Sequence, residues 1–179
     1  MRRAALRLFS ERGIDDTSVK DIVRAARTTQ PMVYYYYGSK NYLCIELFRE
    51  ISGEILAGAA RIMGRSRPLN VKLEALFNYY SGYFRRNPGI ARFLLHSTLS
   101  MRHGKAIRAV GNEAQGAARK ALLRMMEEHV SAGELDPGRV EAAAELANAV
   151  ILYLILGKHS RPGLPGGKVA DIICGWSGQ

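Results

Sequence analysis

The chain has 179 residues, 47 % of them hydrophobic, and 26 Lys and Arg outnumber 16 Asp and Glu to give a formal net charge of +10. This length and apolar content predict a packed core and exclude a disordered polycation. The longest apolar run, residues 149–156, is far shorter than the roughly 20 residues that cross a bilayer. No secretory signal pattern follows the first charged residues, so we expect a cytoplasmic protein without a membrane partner.

The positive charge is spread along the chain. Residues 1–50 hold nine basic and six acidic side chains, and the remaining 129 residues hold 17 and 10. Charge per residue is therefore about the same in both parts. Composition alone does not say where a polyanion such as DNA would bind, and the motifs must decide.

Three short helices are predicted at the start of the chain. The first ends at Gly13, and Thr17 or Ser18 caps the second, whose inner face is formed by Val19, Ile22, Val23 and Ala26. Thr29 and Pro31 open the third, with Val33 and Tyr37 facing inward. Longer helices follow over residues 40–63, 69–86, 88–102, 105–132 and 139–156, with a short one over 168–176.

The tight turn before the third helix predicts a helix-turn-helix, in which that helix enters the major groove of DNA. Its outward positions are Gln30, Met32 and Tyr34 to Tyr36, an unusual surface for a helix that meets only water. Neighbouring helix positions point about 100° apart, so a buried core cannot take all of these tyrosines. Exposed phenols can donate to phosphate oxygens.

Residues 4–48 carry Leu-Phe-x-x-x-Gly, Thr-Ser-Val-x-x-Ile and Tyr-x-Tyr-x-Gly-Ser-Lys at spacings that resemble the N-terminal domain of the TetR family of bacterial transcriptional regulators. The resemblance covers about a quarter of the chain. It implies an all-α protein, with a three-helix helix-turn-helix domain over residues 1–45 and an antiparallel helical bundle for effector binding and dimerisation over 46–179. The helix over 40–63 would link the two.

The resemblance also implies a set of DNA-binding residues at the matching positions. Thr17 and Ser18 would meet the phosphate backbone, Lys20 a phosphate or a base edge, and Gln30 an adenine. Each has a plain structural alternative, as a helix cap or a solvated charge. The complete set is Thr17, Ser18, Lys20, Arg27, Thr28, Thr29, Gln30, Pro31, Tyr34, Tyr35, Tyr36 and Lys40.

Two features depart from the family pattern. Arg27 stands in the turn where glycine is usual, so a non-glycine residue is expected to hold an unusual backbone conformation there, at a cost on the order of 1 kcal/mol. The chain also begins almost inside the first helix, which leaves little room for an arm in the minor groove.

Beyond residue 50, inward helix faces predict either a plain core or a mostly apolar ligand pocket. The candidate ligand-binding residues are Phe77, Tyr80, Phe84, Phe93, His96, Ser97, Met101, Leu122, Met125 and His129. Between Arg61 and Arg124 there are thirteen Lys and Arg but only Glu74 and Glu113 as acids. A solvated helix face explains this excess, and the alternative is an anionic effector.

The second half of the helix over 139–156 is apolar nearly all round, so it must be covered on more than one side. We therefore expect a symmetric homodimer, which agrees with the interface that the resemblance implies. The candidate interface residues are Leu146, Val150, Tyr153, Leu154, Ile172 and Trp176.

These features predict a DNA-binding regulator, a repressor that leaves a palindromic operator when a small lipophilic molecule fills the bundle. The alternative is a ligand-binding or interaction module whose DNA-binding head has lost its function. An enzyme is not expected, because the four histidines show no metal-ligand spacing and the chain has neither Gly-x-Ser-x-Gly nor a complete phosphate loop. No metal or cofactor is expected.

Overall fold

A computed structural model describes residues 1–99, 104–156 and 166–175, and helices form all the regular structure in those ranges. Two predicted site residues lie outside these ranges, Met101 of the ligand site and Trp176 of the dimer interface. The helices are α1 (Arg2–Arg12), α2 (Val19–Ala26), α3 (Gln30–Tyr37), α4 (Lys40–Met63), α5 (Leu69–Arg86), α6 (Pro88–Leu99), α7 (Gly104–Val130), a 3-10 turn (Pro137–Arg139), α8 (Val140–Leu156) and α9 (Gly166–Cys174). The all-α fold predicted from the sequence is confirmed.

Local signals set most of the helix ends. The amide of Gly13 donates to the carbonyl of Phe9 at 3.0 Å and ends α1, at a φ of 82° that suits glycine. The Ser39 hydroxyl accepts from the amide of Tyr42 at 3.1 Å and caps the start of α4. The predicted bounds of α4 and α5 agree with the structure, whereas α9 begins two residues before the predicted Lys168.

The chain forms two compact units, and the first combines Met1–Glu54 with Asn87–Ala114. Its core joins α1 to α6: the rings of Phe9 and Phe93 lie 6.2 Å apart, and Phe48 lies 6.3 Å from Phe93. Phe9 and Phe93 are fully buried. Because α6 packs into this unit, the first unit does not coincide with the predicted domain over residues 1–45.

The second unit combines Ile55–Arg86 with Gln115–Gln179, and in it α5 packs against α8 and α9. The Tyr79 hydroxyl donates to the carbonyl of Ile55 at 3.2 Å. A carboxylate oxygen of Glu134 accepts from the amide of Leu69 at 2.6 Å and satisfies the start of α5. Throughout the described ranges, no helix combines the length and the hydropathy needed to cross a bilayer.

Candidate nucleic-acid interface

Helix α2 begins at a capping box formed by Ser18 and Asp21. The Ser18 hydroxyl accepts from the Asp21 amide at 3.1 Å, and the Asp21 carboxylate accepts from the Ser18 amide at 3.0 Å. Hydrogen bonds from the side chain and the backbone of Ser18 lower the pKa of Asp21. Ser18 is exposed, so it caps the helix and still lies at the surface where a phosphate could approach.

The prediction that Thr17 contacts phosphate needs correction. Its side chain is buried, with only 1 % of its surface exposed, and its hydroxyl donates to the carbonyl of Gly13 at 2.6 Å. This hydroxyl ties the start of α2 to the end of α1. A hydroxyl that is buried and bonded in this way does not fit a phosphate contact.

Arg27 ends α2 in the left-handed region, with φ 50° and ψ 48°. It is the one non-glycine residue with a positive φ among the residues that the structure describes. The amide of Thr28 donates to the carbonyl of Val23 at 3.0 Å, which closes the helix end. The unusual backbone conformation predicted for this position is confirmed, and the Arg27 side chain is exposed.

Helix α3 carries an exposed aromatic surface. Val33 is fully buried and holds the helix in place, while Tyr35 is 81 % exposed and Tyr36 60 % exposed. The Tyr35 and Tyr36 rings meet edge to face, with centroids 5.1 Å apart. The other exposed positions predicted for this surface are Thr29, Pro31, Met32 and Tyr34, while Gln30 and Thr28 are half-buried.

Lys40, for which a phosphate contact is predicted, also fixes the start of α4. Its ammonium donates to the carbonyls of Ile14 at 2.6 Å and Thr17 at 2.7 Å, which joins the first turn of α4 to the loop between α1 and α2. Burial lowers the pKa of this ammonium, and the charge of Asp15 opposes the shift. The ammonium of Lys40 is thus half-buried and holds two carbonyls, whereas the side chain of Lys20 is exposed.

The sequence reasoning missed Tyr42, a further exposed aromatic residue on the first turn of α4. Its neighbour Leu43 is fully buried, so the two side chains point to different sides of the helix. That alternation was visible in the sequence. Tyr42 therefore belongs among the exposed aromatic residues of the first unit.

The predicted ligand-binding residues fall into different units. Phe93, His96 and Ser97 lie in the first unit, where Phe93 packs on Phe9 and the Ser97 hydroxyl donates to the carbonyl of Phe93 at 2.7 Å. The second unit holds Phe77, Tyr80, Phe84, Leu122, Met125 and His129, all of them buried.

Tyr80 shows how closely this group is packed. Its ring stacks on Phe84 with centroids 6.4 Å apart, and burial raises the pKa of Tyr80 to about 12, which keeps its phenol protonated. Of the ten predicted residues, three thus lie in the first unit and six in the second, while Met101 lies outside the described residues.

The predicted interface residues lie on the surface of the second unit. Tyr153 is 52 % exposed and Ile172 57 % exposed, while Leu146, Val150 and Leu154 are half-buried. Large apolar side chains in water are unfavourable, and each fully buried one stabilises its surroundings by about 1.5–3 kcal/mol. The second unit thus presents apolar surface on both α8 and α9.

Helices α2 and α3, joined by the turn over residues 27–29 with an exposed face on the second of them, form a helix-turn-helix, a motif that places its second helix in the major groove in DNA-binding proteins. Residues 2–47 match the family model described as bacterial regulatory proteins, tetR family. Over this segment, about a quarter of the chain, the protein is similar to the TetR family of transcriptional regulators.

Among relatives, the chain is 28 % identical over 124 residues to the HTH-type transcriptional repressor NicS of Pseudomonas putida, a match that covers 67 % of this chain and 58 % of NicS. The chain thus matches less than two thirds of the length of that repressor. Over 41 residues it is 46 % identical to the HTH-type transcriptional regulator YvdT of Bacillus subtilis, covering 23 % of this chain and 21 % of YvdT.

Solved structures show the same fold. A tetR-family regulatory protein from Rhodococcus RHA1 superposes with a TM-score of 0.76 at 20 % identity, covering 99 % of this chain and 94 % of that one. The regulator FadR from Bacillus subtilis, solved with stearoyl-CoA, gives a TM-score of 0.67 at 18 % identity and covers 88 % of this chain and 97 % of its own.

Proposed function

We propose that this chain is a homodimeric repressor that binds a palindromic DNA operator and leaves it when a small lipophilic molecule occupies the second unit. The observation that carries the proposal is the exposed face of α3, with Tyr34, Tyr35 and Tyr36 in water. Repression itself is supported by the relative NicS, which is a transcriptional repressor.

The chemistry of α3 suits the major groove. The amide of Gln30 can bond bidentately to adenine, and the tyrosine hydroxyls can donate to phosphate oxygens while their rings lie against sugar. Lys20 supplies the charge that phosphate contacts need. The face thus offers base contacts at the start of α3 and phosphate contacts along it.

A dimer would place two copies of α3 in successive major grooves, ~34–36 Å apart on a palindrome. The exposed Tyr153 on α8 and Ile172 on α9 support a second copy of this chain as the partner. Burial of such side chains in a symmetric interface removes them from water.

The dimer leaves DNA when a ligand binds more tightly to the conformation in which the spacing of the two DNA-binding heads does not fit the operator. The FadR structure with stearoyl-CoA supports a lipophilic effector, since its fold matches this chain. The buried aromatic and methionine side chains of the second unit would form the walls of the site, with α4 as the helix that continues toward the head.

Fluorescence anisotropy with DNA from upstream of the chain's own gene tests the proposal. Sequence-dependent binding that weakens steeply with salt is expected, because several phosphates would be neutralised. Gln30→Ala should weaken specific binding by about 1–3 kcal/mol. The matched variant is Gln115→Ala, at an exposed position of α7 in the second unit. It should bind DNA as tightly as the unchanged protein does. Absent or salt-independent binding would instead favour a ligand-binding module without DNA function.

A further inference from the structure

The second unit contains an open polar cavity of about 560 Å³. It lies where the end of α4 meets the start of α5 and the end of α7. Its walls are formed by side chains and backbone from these segments: Gly64, Arg65, Ser66, Arg67, Pro68, Lys72, Glu128, His129, Ala132 and Glu134.

Lys72 is the unusual member of this wall. The residue is only 6 % exposed, although lysine is rarely buried without a charged partner. Its side chain has no hydrogen bond or ion pair with any residue in the described part of the chain. Because Lys72 lines the cavity, an anion bound there can compensate the charge of its ammonium.

Glu134 forms no ion pair with Lys72 within the described residues, and one of its carboxylate oxygens accepts from the amide of Leu69 at 2.6 Å. Glu128 lies at the exposed rim. Arg65 and Arg67 are also exposed rim residues, so the lining has three Lys and Arg against two Glu. The lining of the cavity therefore carries a surplus of positive charge.

His129 also lines the cavity, and both of its ring nitrogens lie against backbone carbonyls. The ring is 5 % exposed, and its Nδ1 lies 2.7 Å from the carbonyl of Met125 while its Nε2 lies 3.1 Å from the carbonyl of Arg67. The ring thus connects the end of α7 to the segment that follows α4 and helps to fix this wall of the cavity.

We propose that this cavity binds a compact oxyanion, a carboxylate or a phosphate group, with Lys72 as its charge partner. Arg65 and Arg67 at the rim supply further donors, in the geometry that suits carboxylates and phosphates. Its use as the site for the charged head of an effector rests on the proposed function, whereas the binding of the anion does not.

Isothermal titration of the full chain without DNA tests the site. Octanoate and octanol have the same tail and differ in charge, and inorganic phosphate supplies the oxyanion without a tail. Octanoate should bind roughly tenfold or more tightly than octanol. Tight binding of phosphate together with octanoate would identify a general oxyanion site, and binding of octanoate alone would identify a carboxylate site with an apolar neighbour.

Lys72→Met keeps the length of the buried stem and removes the charge, so it should weaken the binding of whichever anion binds by roughly tenfold or more. Lys120→Met removes an exposed charge of α7 in the same unit and should change nothing. Equal affinity for octanoate and octanol, or an unchanged Lys72→Met isotherm, would overturn the proposal. The first comparison uses the unchanged protein, so it decides the question even where Lys72→Met fails to fold. Loss of DNA binding would contradict the proposed function and leave these isotherms as they are.

Discussion

Arg27 holds a left-handed backbone conformation that glycine adopts with less strain. Its side chain is exposed. A non-glycine residue in the left-handed region costs roughly 1 kcal/mol. Arg27→Gly should therefore raise the free energy of unfolding by up to about 1 kcal/mol, less the added entropy of glycine in the unfolded chain.

Chemical denaturation measures this change. Arg24→Gly, also exposed but within α2, is the matched variant and should lower the free energy of unfolding by about 1 kcal/mol. If both glycine variants destabilise the protein equally, the conformation of Arg27 carries no strain.

Substitutions of two lysines in the first unit distinguish a structural role from a DNA contact. Lys40→Met removes the donor to two carbonyls and should lower the free energy of unfolding by about 1–3 kcal/mol. Lys20→Met, at an exposed site, should change stability by less than about 0.5 kcal/mol but reduce the salt slope of DNA binding by about 1. The opposite pattern would return Lys40 to the phosphate contacts.

Thr17 and Lys40 show where the sequence was insufficient at this scale. The motif predicts that both lie near the interface, but residue type does not reveal what a polar atom bonds. The carbonyls that Lys40 contacts belong to residues 14 and 17, and they come within reach of its ammonium only when the chain is folded. Arg27 could be predicted because its constraint is local to the turn.

At the scale of helices, Gly58 in α4 allows a close approach of α5. A Cβ at this position would overlap the hydroxyl of Tyr79, the group that donates to the carbonyl of Ile55. Gly58→Ala should therefore displace Tyr79 and lower the free energy of unfolding by about 1–3 kcal/mol, despite the better helix propensity of alanine.

Gly116→Ala in α7 is the matched control, because among the described residues no atom outside the local helix backbone lies within 4 Å of an added Cβ. It should stabilise the protein by about 0.5–1 kcal/mol. Thermal unfolding compares the two variants, and equal stabilisation by both would show that Tyr79 does not need the space at Gly58.

Helix bounds were accessible from the sequence because their signals are local. Ser18, Ser39 and Pro88 all mark helix starts within a residue of the observed position. Which helices pack against each other could not be predicted from the sequence. Nothing in the spacing of α6 indicates that Phe93 packs on Phe9, because that contact joins residues far apart in the chain.

For the whole molecule, Tyr153 and Ile172 should hold two copies together. Replacing both with Glu places charges in an apolar interface and should convert the dimer to a monomer at micromolar concentration. Sedimentation velocity measures this change. Ala117→Glu, at an exposed position of α7, should leave the sedimentation coefficient as it is. A monomer before any substitution would exclude the proposed interface.

The first unit is made from two separate stretches of chain, and this matters for building chimaeric regulators. A DNA-binding head transferred to another effector body by a cut near residue 45 would leave Phe9 without Phe93, its partner on α6. A transplant that keeps its core needs Met1–Glu54 together with Asn87–Ala114. A chimaera must therefore take the first unit as two stretches of chain and not as one continuous segment.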